Sequence, residues 1–106
     1  MAAERIDVAT AREMTRAGDT LIDVRSPEEY ESGHISGAIN IPIDLLLKAV
    51  DGLPDGPLIT TCSMGGRGGR AADLLDAAGR TAFTVEGGTK AWQAAGLPMV
   101  QGSSPT

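Results

Sequence analysis

A single cysteine, Cys62, closes a short apolar run, and the eight residues after it, SMGGRGGR, hold four glycines and two arginines. Those residue types suggest one kind of chemistry. A thiolate is a nucleophile, and glycine lets a backbone curl closely around it because it adopts positive φ without strain. Successive N–H groups in such a curl point inward and form a nest for negative charge. A helix starting near Gly69 would add its positive end, and Arg67 and Arg70 add formal charge nearby. All of these favour the thiolate. A cysteine at a strand end is more often an inert small core residue. Four glycines in one short loop argue against that here, because each costs about 0.5–1 kcal/mol in chain entropy relative to alanine.

The elements that must position Cys62 follow from periodicity. Leu58 to Thr61 reads as a buried strand, and Ala71, Leu74, Leu75 and Ala78 repeat at helical spacing until Gly79. Earlier in the chain, Asp7 caps a helix that ends at Gly18, and Thr20 to Val24 is strand-like. Ser26-Pro27-Glu28-Glu29 opens a short helix ended by Gly33. Ala38 to Ile41 is a further strand closed by Pro42, and Ile43, Leu46, Leu47 and Val50 mark one face of a helix. Ala82 to Val85 is strand-like, and Gly88 to Ala95 forms the last helix, stopped by Gly96 and Pro98. Strands alternating with helices imply an α/β domain with a mainly parallel sheet covered by helices on both faces. Ligands of such sheets bind beyond the carboxyl ends of the strands, where Cys62 falls. The expected organisation is one domain over residues 1–100 and a disordered tail over 101–106, QGSSPT.

Composition narrows the function classes. A net charge of −5 and a pI near 4.6 disfavour nucleic acid and anionic membrane as partners, without excluding a local anion site. No apolar run approaches the roughly 18 residues of a membrane span, and the start, MAAERIDVATAREM, does not read as a signal peptide. A cytoplasmic protein is expected. One cysteine cannot form an internal disulfide, which fits a reducing compartment.

Two phosphate-binding patterns fail on spacing. Gly66-x-Gly68-x-x-Ala71, with Glu86 twenty residues after Gly66, superficially matches a dinucleotide fingerprint, but its first glycine lies four residues beyond Cys62 rather than at the strand end. A cysteine phosphatase would by resemblance show Cys-x5-Arg. Here position 68 is glycine, and the arginines give Cys-x4-Arg67 and Cys-x7-Arg70.

The chain resembles the rhodanese-like sulfurtransferase family from about Ile6 to Pro98. LIDVRSPEEYESGHISGAINIPI, Leu21 to Ile43, is similar to its first signature. CSMGGR, Cys62 to Arg67, is similar to its six-residue active loop, and EGGTKAWQAAGLP, Glu86 to Pro98, to its closing signature. The resemblance implies a five-stranded, mainly parallel sheet flanked by helices on both faces. It also implies a Cys62 persulfide that moves sulfane sulfur from a donor such as thiosulfate to cyanide or a thiol. The loop Ser63, Met64, Gly65, Gly66, Arg67 and Gly68 would bind the substrate and persulfide, with Asp23, Arg25 and Arg70 as supporting candidates. No cofactor or metal is implied. The partners are a small-molecule sulfur donor and its acceptor, with a protein acceptor also compatible.

A sulfur carrier or regulatory binding module is the alternative from another class. An arsenate reductase or phosphatase on the same fold is disfavoured by loop length. Two departures from the family bear on the donor. Gly68 stands where many members carry Ser or Thr, and Ser63 and Met64 are neutral where some thiosulfate-using members are basic.

Other residues have plainer expected roles. Arg25 is expected to pair with Glu28 or Glu29 and hold the following helix. His34, in the turn GHISG, fixes that turn rather than acting as a base. Trp92 anchors the core, and Gly87-Gly88 lets the chain approach the active loop.

Overall fold

The structure, a computed structural model, describes residues 3–106; Met1 and Ala2, at the head of the expected domain, lie outside the described residues. Strands β1 (Glu4–Ile6), β2 (Thr20–Asp23), β4 (Ile39–Asn40), β5 (Leu58–Thr61) and β6 (Ala82–Val85) form one sheet in the order β1-β6-β5-β2-β4. Every pairing in it is parallel. Two further short strands, β3 (His34–Ile35) and β7 (Met99–Val100), pair antiparallel beside it. The chain is therefore α/β with a five-stranded parallel sheet, as expected.

The sheet buries both faces because its central strands are apolar on both. In β2, Ile22 packs in one core cluster and Leu21 in the other; in β5, Leu58 and Ile59 divide the same way. Adjacent side chains on a strand point to opposite faces, so two clusters mean two covered faces. Leu46, from α3 (Leu46–Ala49), covers one face with Ala71, Ala72 and Leu75 of α4 (Gly66–Ala77). The other is covered by Ala11 of α1 (Val8–Arg16), Tyr30 of α2 (Pro27–Ser32) and Trp92 of α5 (Gly88–Ala94).

Local rules explain most boundaries. Asp7 accepts the N–H of Thr10 and caps α1. Ser26 and Glu29 form a complete capping box on α2, with Pro27 at its start. Gly79, at φ +88°, follows the end of α4. His34, expected within a turn, instead opens β3 and is fully buried, its ring stacked on Tyr30 at 3.6 Å and its nitrogens facing Tyr30 O and Ser104 O. Trp92 is buried, and its Nε1–H donates to Pro98 O.

The structure departs from the sequence expectations in several elements. Strand β1 carries no apolar pattern, since two of its three residues, Glu4 and Arg5, are charged and exposed; an edge strand needs only its backbone to pair. The helix expected over Ile43 to Val50 is instead a 3₁₀ turn (Ile43–Leu45), α3, and a second 3₁₀ turn (Val50–Gly52). Each change between three and 3.6 residues per turn rotates the face. Leu46 is consequently buried while Leu47 is 51% exposed.

Helix α4 begins at Gly66, three residues before the expected Gly69. The tail, expected to be disordered, is tied down through its backbone. Gly102 N–H donates to Glu31 O, Gly37 N–H donates to Pro105 O, and His34 Nε2 lies 2.9 Å from Ser104 O. Polar composition says nothing about main-chain bonds, which every residue can make.

Candidate active loop

Strand β5 is fully buried, and Cys62 follows directly from it with 2% exposure. The chain then turns through Ser63, Met64 and Gly65 into α4. Gly65 sits at φ +117°, a conformation that suits glycine, and its N–H points at the Cys62 Sγ at 3.0 Å. No side chain caps α4. The first N–H groups of any α-helix lack partners within it, so Gly66, Arg67 and Gly68 open α4 with their amides unpaired inside the helix. The cradle expected from Ser63 onward is thus narrower at the thiol itself: among the described residues, the Gly65 N–H is the backbone donor that reaches Sγ.

Glycines let two neighbours press against this loop. A Cβ at Gly68 would lie 2.9 Å from Thr84 Oγ1 and 3.3 Å from Cys62 N, so its absence lets the first turn of α4 sit on β5 and β6. The Thr60 hydroxyl fastens that turn by donating to Gly68 O at 2.6 Å. A Ser or Thr at position 68 would require the Thr84 side chain to move.

Gly88, at φ +63°, is tighter still: a Cβ there would lie 2.6 Å from Cys62 O. Across that approach Thr89 N–H donates to Cys62 O at 2.7 Å and Lys90 N–H to Ser63 O at 3.0 Å. These bonds fix the carbonyl side of the loop's first two peptides. The expected close approach at Gly87-Gly88 is present in this form.

Arg67 is not a free charge. Its Nη1 and Nη2 donate to the two carboxylate oxygens of Glu29 at 2.7 and 2.8 Å, and Ser63 Oγ lies 3.4 Å from both Glu29 Oε2 and Arg67 Nη2. The pair is about one-third exposed, each side chain at 37%. Hydrogen bonds from Arg67 are the main reason the Glu29 carboxyl is held at about 2, against burial and with help from Ser26. Arg67 is raised in turn, chiefly by its hydrogen bonds to Glu29.

The remaining candidates are placed elsewhere. Arg25 does pair with a carboxylate, but the partner is Asp23 rather than Glu28 or Glu29. Its Nη2 lies 2.7 Å from Asp23 Oδ2 and also donates to Gly33 O, and both residues are buried. Neither offers a free group to the loop. Arg70 is exposed and lines, with Arg5 and Asp73, a groove on the β1 side of α4. Met64 is 71% exposed at the rim. Arg67 also lines a cleft of about 400 Å³ with Val24, Pro27, Pro42, Ile43 and Leu45. Among the described residues no group of three or more His, Cys, Asp or Glu could hold a metal, and no helix is long and apolar enough to cross a membrane.

The sequence left the role of Glu29 incomplete. Its place in the opening turn of α2 was visible; its bond back to Ser26 and its second use, across 38 positions to Arg67, were not.

Comparison with known proteins adds a family. The model for the rhodanese-like domain matches residues 7–95. A chloroplastic thiosulfate sulfurtransferase of Arabidopsis thaliana is 33% identical, over 88% of this chain and 89% of its own. A thiosulfate sulfurtransferase of Escherichia coli is 35% identical, over 70% and 74% respectively. The crystal structure of a rhodanese-related protein from Thermoplasma volcanium superposes with a TM-score of 0.84 at 35% identity, covering 92% of this chain and 97% of that one.

Proposed function

The chain belongs to the rhodanese-like family, and on that premise we propose that it is a sulfurtransferase that carries sulfane sulfur on Cys62. The observation that supports this most directly is the sole thiol at the end of β5, with the Gly65 N–H 3.0 Å from its sulfur at the start of α4. The Cys62 thiolate attacks the outer sulfur of the donor. The bond from that sulfur to the donor remainder breaks, and its electron pair leaves with the remainder, as sulfite when thiosulfate is used. The product is a Cys62 persulfide. A thiolate or cyanide acceptor then attacks the terminal sulfur, the Cys62 S–S bond breaks, and the thiolate is regenerated. This is covalent, two-stage transfer that needs neither a second cysteine nor a redox partner. The loop amides offset charge on the transferred sulfur, much as an oxyanion hole does for oxygen.

The partners on this reading are a small sulfane-sulfur donor and a thiophilic acceptor, a protein thiol included. Treatment with a donor should add about 32 Da to Cys62, and addition of cyanide should release thiocyanate and restore the original mass. Cys62→Ser should lose both. Full sulfurtransferase activity in that variant would overturn the proposal. Labelling without turnover would instead identify a sulfur carrier.

A further inference from the structure

The loop from Cys62 to Gly68 has one formally charged side chain, Arg67. Its guanidinium, five positions after Cys62, is occupied by a bidentate contact with Glu29 at 2.7 and 2.8 Å. The two charges cancel at the mouth of the loop. Ser63, the nearest polar neighbour, is neutral and touches both partners. Asp23 and Arg25 cancel in the same way farther in, and the small cleft beside Met64 and Gly65 carries Arg5 and Glu86, again one of each sign. A donor approaching Cys62 therefore meets backbone dipoles but no uncompensated side-chain cation from the loop.

We infer that Glu29 is a specificity-determining residue: by neutralising Arg67 it leaves the loop suited to sulfur donors carrying one negative charge and poorly suited to dianions. This rests on the sulfurtransferase reading above and adds the substrate class to it. Glu29 acts through Arg67 and is a positioning residue, not a catalytic one.

The test uses two donors of nearly the same shape. Thiosulfate is a dianion; in methanethiosulfonate a methyl group replaces one oxygen, leaving one charge. Both transfer their outer sulfur to the Cys62 thiolate, releasing sulfite and methanesulfinate respectively. Glu29→Gln keeps a side chain that can complete the capping box of α2 and still accept one bond from Arg67, so it changes charge more than shape. An arginine whose charge is no longer cancelled should raise kcat/KM for thiosulfate on the order of ten-fold and for methanethiosulfonate about three-fold, since the donor's charge is halved. Both gains should shrink in 0.5 M salt, where the screening length is about 4 Å.

Arg67→Gln, which leaves Glu29 unpaired, should move the donor ratio in the opposite direction, and the double variant should return it to the wild-type value. A donor ratio that stays at the wild-type value in both single variants, with thiocyanate still produced, overturns the charge assignment and leaves the sulfurtransferase reading intact. Wild-type protein that makes thiocyanate from neither donor overturns the sulfurtransferase reading itself.

Discussion

Two arginine–carboxylate pairs lie near the carboxyl ends of the strands, and their settings give them different work. Asp23–Arg25 joins residues two apart, with side chains 0% and 8% exposed. Arg25 Nε also reaches both Asp23 oxygens, Arg25 N–H donates to Oδ1, and Nη2 continues to Gly33 O. Asn40 Nδ2 bridges the carbonyls of Asp23 and Arg25. Glu29–Arg67 joins two helices at the active loop, at 37% exposure on each side. The buried pair closes a network that fixes the end of β2 and the turn after α2. The exposed pair has water as an alternative partner, so its contribution lies in where it holds charge. The same chemistry is structural where solvent is absent and functional where solvent competes.

The largest test of that contrast breaks the buried pair. Arg25→Met leaves a carboxylate without its ion partner in a dry site, which costs about 3–5 kcal/mol. Domains of this size are stable by only about 5–15 kcal/mol in total. Urea denaturation should show a midpoint far below wild type, and specific activity should fall only with the folded fraction. A pair of substitutions that removes both charges, Asp23→Leu with Arg25→Met, should lose less than the two single losses added together. Equal stability of Arg25→Met and wild type would put the buried pair in the same class as the exposed one.

What was legible in the sequence divides along the same line. Apolar periodicity located β2, β5, β6 and the body of α4, because burying a face leaves a pattern of residue types. Asp7 and Ser26 announced their caps because the cap is made by the side chain that was read. Contacts made by main chain left no such trace: β1 along β6, the tail on Glu31 and Gly37, and the Thr89 and Lys90 amides on the loop carbonyls. The choice of ion partners was also hidden. Asp23, Glu28 and Glu29 all lie within four positions of Arg25, and only the folded arrangement gives Asp23 to Arg25 and Glu29 to Arg67. Cys62 and its glycines were legible as a candidate site. The neutrality of that site was not, because it depends on a residue 38 positions away.

A smaller effect is expected on the exposed side of the comparison. Arg67→Met removes the partner of a carboxylate that water can still reach and that Ser26 still holds through its N–H and hydroxyl. The loss of stability should be about 1 kcal/mol or less. In the same urea experiment it should fall several-fold below that of Arg25→Met. A loss as large as Arg25→Met would mean that the loop pair carries the fold as well as the charge.

The smallest effect is in acid and concerns Glu29 alone. Its carboxyl is lowered from 4.5 to about 2 in the folded protein, so folding favours the ionised form. The stability this contributes is complete above the unfolded value and is lost as pH falls through about 4.5 toward 2. The pair's exposure limits the amplitude to about 1 kcal/mol or less. Asp7, lowered chiefly by the Thr10 N–H, changes in the same direction, but it is present in both proteins when wild type is compared with Glu29→Gln. Subtracting one thermal-melting curve from the other across pH should therefore isolate Glu29, with a constant difference above pH 5 and a shrinking one toward pH 2. For a domain of this length 1 kcal/mol corresponds to roughly 4–8 °C in Tm, so the change is measurable. A difference that stays constant down to pH 2 would mean that Glu29 gains nothing from Arg67 on folding, and the contrast between the two pairs would then rest on the buried one alone.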